Sequence, residues 1–319
     1  DSNGNEYTYS FSTNTNQNNS SLVIGDLYGG NNLGGTTSTP KITLNKGTYN
    51  NIYGGGNQAE TTSDITLNIK NIYVNESIYG GGNQADVLSS TLVNISGETI
   101  VEKNVFGGGN HGAVGTESAN DSNSNVNIAG ATIGGSVYGG CNTSVVYGTT
   151  KVNIGLSAID NSTGMAIDDI DITGTIFGGG EANESGSEVY DFSFISVTKG
   201  IDILIDGTNY DENDLLFKMN GSIFGSGNAS SSSGPSNIYI RKLGTRKEPN
   251  TTISIQRADN VTIDSSAIEL TGTTDRTNEY SNIKYSLNRI KVLKIKNSAT
   301  LLLRENANML ESFYSLVDE

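Results

Sequence analysis

Ile52-Tyr53-Gly54-Gly55-Gly56-Asn57 and, 26 residues on, Ile78-Tyr79-Gly80-Gly81-Gly82-Asn83 are two copies of the unit that decides how this chain folds. Five more copies flank them. Leu27-Tyr28-Gly29-Gly30-Asn31-Asn32 lies ahead. Val105-Phe106-Gly107-Gly108-Gly109-Asn110 and Val137-Tyr138-Gly139-Gly140-Cys141-Asn142 lie behind, followed by Ile176-Phe177-Gly178-Gly179-Gly180-Glu181 and Ile223-Phe224-Gly225-Ser226-Gly227-Asn228. The aromatic positions are 25, 26, 27, 32, 39 and 47 residues apart, so a short unit recurs and its later copies carry insertions. Self-similarity at such a period marks a stacked-repeat architecture.

Each unit holds a second run with period two, among them Ile65-Thr66-Leu67-Asn68-Ile69, Val126-Asn127-Ile128, Val152-Asn153-Ile154 and Ile238-Tyr239-Ile240. Alternation of β-branched and polar residues reads as a strand with one buried face. A third short apolar signal, such as Ile72-Tyr73-Val74, precedes the next glycine run. About three short strands per coil with no helix between them predict an all-β, single-stranded, right-handed parallel β-helix. One coil cannot bury its own apolar side, whereas coils stacked ~4.8 Å apart share one narrow core. The glycine corners are expected to need positive φ and close approach between coils. Asn32, Asn57, Asn83, Asn110, Asn142 and Asn228 close the glycine runs and are expected to form an amide ladder. Glu181 takes that position once and should break the ladder locally.

Composition agrees. Among 319 residues there are 40 Gly, 40 Asn and only 3 Pro, which excludes a collagen helix. Hydrophobic residues make up 34%, enough for a thin core and too few for a layered enzyme core. The formal charge is −15, unevenly placed: residues 1–235 hold 7 Lys/Arg against 24 Asp/Glu, and residues 236–319 hold 12 against 10. An acidic surface repels phosphate, so nucleic acid and anionic membrane are not expected partners. No run of 18 apolar residues and no signal peptide is seen, so direct membrane insertion is not expected. The start at Asp1 rather than Met reads as a mature product or a fragment.

We divide the chain into a loosely ordered lead-in or beginning of the first coil (1–20) and glycine-cornered coils (21–235) with an insertion at 181–220. Further coils and a C-terminal cap (236–319) complete the same domain. Val261–Leu270 resembles Leu293–Leu302 at an offset of 32, which extends the coils past the last glycine unit. Residues 307–316 read either as a final strand or as a short capping helix. The insertion, with Tyr190, Phe192 and Tyr210, either covers the side of the solenoid or binds a ligand, as loops on rigid scaffolds often do.

Chemistry-bearing residues are sparse. His111 is the sole histidine and reads as an ordinary loop residue rather than a zinc ligand or base. Cys141 replaces a corner glycine and carries no sign of a nucleophile. The clusters Asp168-Asp169-Ile170-Asp171 and Asp211-Glu212-Asn213-Asp214 offer carboxylates for a structural calcium but match no calcium-loop pattern; no other metal and no cofactor is expected. Sugar cleavage needs paired carboxylates, or a Lys or Arg base. Residues 1–235 contain no Arg, and Lys70, Lys103, Lys151 and Lys199 are scattered, though they could share one side; an enzyme site would fall in 236–319. The most repeated side chain is the aromatic. Tyr53, Tyr79, Phe106 and Tyr138 either form an outer ladder for sugar rings or a protein, or turn inward to pack on one another.

The [Ile/Val]-[Tyr/Phe]-Gly-Gly-Gly-Asn units resemble repeats in large surface proteins of clostridia and related Gram-positive gut bacteria. The resemblance implies an adhesin, with a β-helical head on a wall-anchored stalk, and implies no catalytic residues. The expectation is therefore an extracellular, non-catalytic binding head on the bacterial surface, recognising a host or environmental glycan or a matrix protein. The alternatives are a polysaccharide lyase or hydrolase on the same fold, or a structural spacer.

Overall fold

The computed structural model describes residues 23–119, 121–155, 168–181, 194–210, 217–219, 221–243, 252–271, 273–274, 284–303, 308–309 and 313–318. They form an all-β parallel solenoid, with no helix among them. A representative coil begins with the long strand Ile65–Lys70, continues through Tyr73–Val74 and Ile78–Tyr79, rounds the glycine corner, and starts again at Thr91–Ser96. Each strand pairs in parallel with its counterpart one coil away. Ile65 lies beside Thr91, Tyr73 beside Ile100, and Ile78 beside both Ile52 and Val105. Among the described residues the one antiparallel pairing is Thr273–Thr274 against Lys284–Tyr285.

The long strands alternate as the sequence requires. Leu67, Val93, Val126, Val152, Ile203, Ile238 and Val261 form one inward column, and Ile69, Ile95, Ile128, Ile154, Ile205, Ile240 and Ile263 another. With Val74, Val101, Ile133 and Ile172 from the shorter strands they make one continuous core along the axis. Where the long strand opens on a hydroxyl, that group is used inside. Thr91, Ser124 and Thr150 donate to the carbonyls of Gly107, Gly139 and Gly178 at the glycine corner of their own coil, at 2.7, 2.6 and 2.6 Å. A buried donor placed on an otherwise crowded corner thus finds an acceptor.

Close approach, rather than φ, explains the corner glycines. The expected positive φ is absent from Gly54–Gly56 and Gly80–Gly82, and occurs instead at turn glycines such as Gly47 and Gly97. A Cβ at Gly81 would sit 2.7 Å from the backbone nitrogen of Gly109, and one at Gly54 would sit 2.3 Å from the carbonyl oxygen of Gly80. The corner backbones also bond coil to coil, with Gly55 N donating to Gly81 O and Gly81 N to Gly108 O, each at 3.0 Å. A side chain there would push the coils beyond hydrogen-bonding distance.

The span 181–220 is not a single insertion. Ile195–Val197, Gly200–Asp206 and Phe217–Met219 are coil strands, the last two paired with Thr149–Ile154 and Ile170–Ile172. Residues 182–193 and 211–216, with Tyr190 and Phe192, lie outside the described residues, as does the lead-in 1–20. Beyond Asn228 the coils continue, but the glycine corner disappears. Ile255–Asp264 pairs with Ile223–Phe224 through its first residues and with Ser236–Arg241 through its last, merging two strands into one. The offset of 32 holds for Val261 and Leu293, then becomes 33 at Ala267 and Thr300. The extra residue is taken up at Asn297-Ser298, both with positive φ. The C-terminal end is a strand, Phe313–Asp318, pairing with Ile290–Ile295.

The amide ladder is present from Asn32 to Asn142. Asn57 donates to Asn32, Asn83 to Asn57, Asn110 to Asn83 and Asn142 to Asn110, at 2.7, 2.8, 2.8 and 2.7 Å. At the next rung stands Glu181, placed by its backbone bond to Cys141 O, and above it Asn228, whose backbone bonds Gly180 O. An ionised carboxylate cannot donate to Asn142. The Oδ1 of Asn228 is buried without a partner among the described residues.

Two stability outcomes follow. Gly81→Ala should lose about 1–3 kcal/mol through overpacking, while Gly34→Ala, where an added Cβ meets nothing, should be neutral; denaturant melts of the pair would show equal midpoints if close approach were unimportant. Glu181→Asn should carry the ladder one rung further and add about 0.5–1.5 kcal/mol. A lowered melting temperature would contradict that.

Candidate functional site

The aromatic column is closed. Tyr28, Tyr53, Tyr79, Phe106, Tyr138 and Phe177 stack nearly parallel with centroids 4.6–4.9 Å apart, and Phe224 follows at 5.3 Å with a 30° tilt. The preceding aliphatics enter the main core, so the rings lie on the other side of the strand, as alternation demands. They are nevertheless buried: Tyr53 is 5% exposed, Tyr79 9%, Phe106 1% and Tyr138 3%. Burial, ahead of the neighbouring Tyr79 and Asp26, raises the Tyr53 phenol well above its ordinary value; Tyr79 is raised mainly by burial too. From Tyr53 to Phe177 both faces of each ring are covered by neighbouring rings, which leaves no face for a sugar there. The stack ends on Gln256, fully buried, which occupies the aromatic register position next to Phe224.

Other expected residues are also structural. Tyr210 donates to the carbonyl of Asp168 at 3.2 Å and meets Phe217 edge-on at 5.0 Å, packing on the core. His111 continues a column of Gln58 and Gln84, with its Nδ1 2.9 Å from the Thr143 hydroxyl. Cys141 is inside, its thiol pushed up to about 12 by burial. Asp168 accepts from Gly97 N. Asp211–Asp214 lies outside the described residues, among which no three acidic, His or Cys side chains converge. The four lysines do not share a side. Lys70 and Lys151 both stand at outward positions of the long strands, Lys151 in a column with Leu92 and Asp202, whereas Lys103 follows the short strand Ile100–Val101 and pairs with Glu76.

What the sequence reading missed is the outer face of the long strands. Asn94 donates to Asn68, Asn127 to Asn94 and Asn153 to Asn127, at 2.9, 2.8 and 2.8 Å. This second amide ladder is half-exposed. Asn94 and Asn127 each spend one donor and one acceptor along the column and keep one of each, while Asn68 only accepts and Asn153 only donates. The signal was available, since Asn stands before the last inward Ile in four consecutive runs. In the same register column the ladder is followed by Leu204 and then Tyr239.

At Tyr239 the face opens into a pocket of about 300 Å³. The Tyr239 phenol donates to Asp264 Oδ2 at 2.7 Å, and Asn297 Nδ2 and the Ser265 hydroxyl donate to Asp264 Oδ1 at 2.7 and 2.8 Å. Arg241 Nη2 donates to Asp206 Oδ2 at 2.5 Å, and Thr208 donates to Oδ1 of the same carboxylate from its backbone and its hydroxyl. These charges occupy the ends of successive long strands and alternate in sign, Asp206, Arg241, Asp264, Lys296. Asp264 is held below the ordinary carboxylate value by the bonds from Asn297, Tyr239 and Ser265. Burial acts to raise Asp206, but the Arg241 and Thr208 bonds outweigh it and the net direction is down. Both therefore remain ionised acceptors at neutral pH. The half-exposed Tyr239 ring has no aromatic partner among the described residues, so the pocket joins an aromatic face, carboxylate and amide groups, and cations.

No protein-family model, curated protein or solved structure matches this chain.

A carboxylate with a lowered folded-state pKa stabilises fully above its unfolded value, and that contribution is lost as pH falls through the folded value. Asp206→Asn should therefore melt below the wild type at pH 7, and the gap should close below about pH 4. Melting curves at a series of pH values check this; a gap that widens on acidification would refute the ion-pair assignment.

Proposed function

We propose that this chain is a non-catalytic binding head displayed on a bacterial surface, and that it recognises a glycan along the outer face of its long strands. The observation that carries the reading is the Tyr239 pocket standing in line with the Asn68–Asn153 amide ladder. Sugar rings offer apolar faces that stack on aromatic rings and hydroxyls that pair with amides and carboxylates. Tyr239 supplies the first kind of partner; Asp264, Asn297 and the ladder supply the second. The ladder's rungs are spaced as its strands are, ~4.8 Å apart, so an extended chain of rings can lie along them.

A rigid frame favours such a role, because the groups are ordered before the ligand arrives and little entropy is lost on binding. The depressed carboxylate of Asp264 suits acceptance of hydrogen bonds from hydroxyls better than proton donation to a leaving group. The resemblance of the glycine units to those of surface adhesins supports the surface location.

A glycan array followed by titration of any bound oligosaccharide tests the proposal. Wild type should bind, Tyr239→Ala should weaken binding about tenfold through loss of the ring face and its bond to Asp264, and incubation should release no product. Release of reducing ends or unsaturated sugars would replace this reading with the enzymatic one. An empty array would end it.

A further inference from the structure

We infer that the Tyr239 pocket receives an anionic sugar residue, carboxylated or sulfated, and that the residue reading that charge is Lys242. The inference rests on the glycan reading above and goes one step further, to the class of sugar.

The first observation is the charge count around the pocket. Asp206 is paired with Arg241, and Asp264 stands beside Lys296. Lys242 also lines the pocket and is exposed, and no acidic partner for it is found among the described residues. Among the described residues one positive charge is left over, in a polar recess whose remaining walls are hydrogen-bond groups.

The second observation is the backbone. Two residues after the last inward isoleucine of a long strand, the chain turns through the left-handed region at Asn71 (φ 55°), Gly97 (φ 69°), Lys242 (φ 51°), Ser265 (φ 48°) and Asn297 (φ 52°). Glycine and asparagine accept that conformation readily; lysine does not. Lys242 therefore holds a strained position, as Ser265 does, at a turn where Asn71, Gly97 and Asn297 carry no such cost. Strain of this kind gathers at sites that need a particular side chain. Here it sets a cationic residue in the lining of the pocket.

The rest of the molecule limits the ligand. Residues 1–235 carry 7 Lys/Arg against 24 Asp/Glu, so a polyanion laid along the amide ladder would be repelled. A neutral glycan with one acidic residue at the Tyr239 end fits both regions. The neutral rings meet the amides, and the acidic ring meets Lys242.

The test uses two matched pairs: glucuronate-capped xylobiose against its methyl ester, and 6′-sulfolactose against lactose. Each is titrated into wild type, Lys242→Gly and Lys242→Arg by calorimetry. In at least one pair the acidic member should bind wild type about tenfold more tightly than its neutral partner, and the pair that responds tells carboxylate from sulfate. Lys242→Gly should lose that preference while its melting temperature rises, because the strain is relieved; Lys242→Arg should keep the preference. Equal binding of acidic and neutral partners, or an intact preference in Lys242→Gly, overturns the inference. So does binding of neutral glycans alone on the array, and in that case the glycan reading survives. If no glycan of any kind binds, the underlying reading has failed and the inference falls with it.

Discussion

Parallel, in-register pairing of each strand with its own counterpart one coil away is the constraint from which the rest follows. It repeats every side-chain position at strand spacing, ~4.8 Å, along the axis. A residue type survives in such a column only if it tolerates a copy of itself at that distance. Branched aliphatics do, by packing, and flat rings do, by stacking. Amides do especially well, since each is both donor and acceptor. Like charges do not: at 4 Å they repel by about 1 kcal/mol even in water, and by more near a protein surface. The rule accounts for 40 asparagines and a charged fraction of only 17%. It also accounts for the columns where charges do meet, since they meet with opposite signs: Asp206, Arg241, Asp264 and Lys296 alternate, Lys151 stands beside Asp202, and Asp171 beside Lys218.

The same constraint separates frame from function. At the glycine corners the rings cover one another from Tyr28 to Phe224 and the amides bond one another from Asn32 to Asn142. Groups left over are those a column cannot use up, such as the second donor and acceptor of each inner amide in the ladders. The repeat becomes irregular after Asn228, where the corner glycines end and two strands merge. The pocket lies where the pattern changes, and non-repeating side chains such as Tyr239 and Lys242 find room there.

The fold was legible because Ile-Tyr-Gly-Gly-Gly-Asn marks the same point of each coil, and the corner ladder because its asparagines share that point. Even the ladder's interruption at Glu181 could be read from one changed letter. The fate of the rings was not legible: period-two alternation says that Tyr53 lies opposite Ile52, but not that neighbouring coils would bury it. The corner glycines misled for a related reason, since absence of a Cβ serves close approach as well as positive φ, and only the distances between backbones decide which. The pocket had no local signature. Its charged residues lie 23 to 35 residues apart and become neighbours only through the register of four long strands.

The most direct measurement of the stacking itself is a set of distances between spin labels in one outward column. Lys41, Lys151 and Asn260 stand in register, with four rungs separating the first two and seven separating the first from the last. Cys141 is buried and should not take up label in the folded chain. Stacked coils predict narrow distributions near ~19 Å for Lys41–Lys151 and ~34 Å for Lys41–Asn260, apart from the reach of the label arms. Distances that do not scale with rung number, or distributions broad enough to span several rungs, would contradict the solenoid and every inference built on its columns.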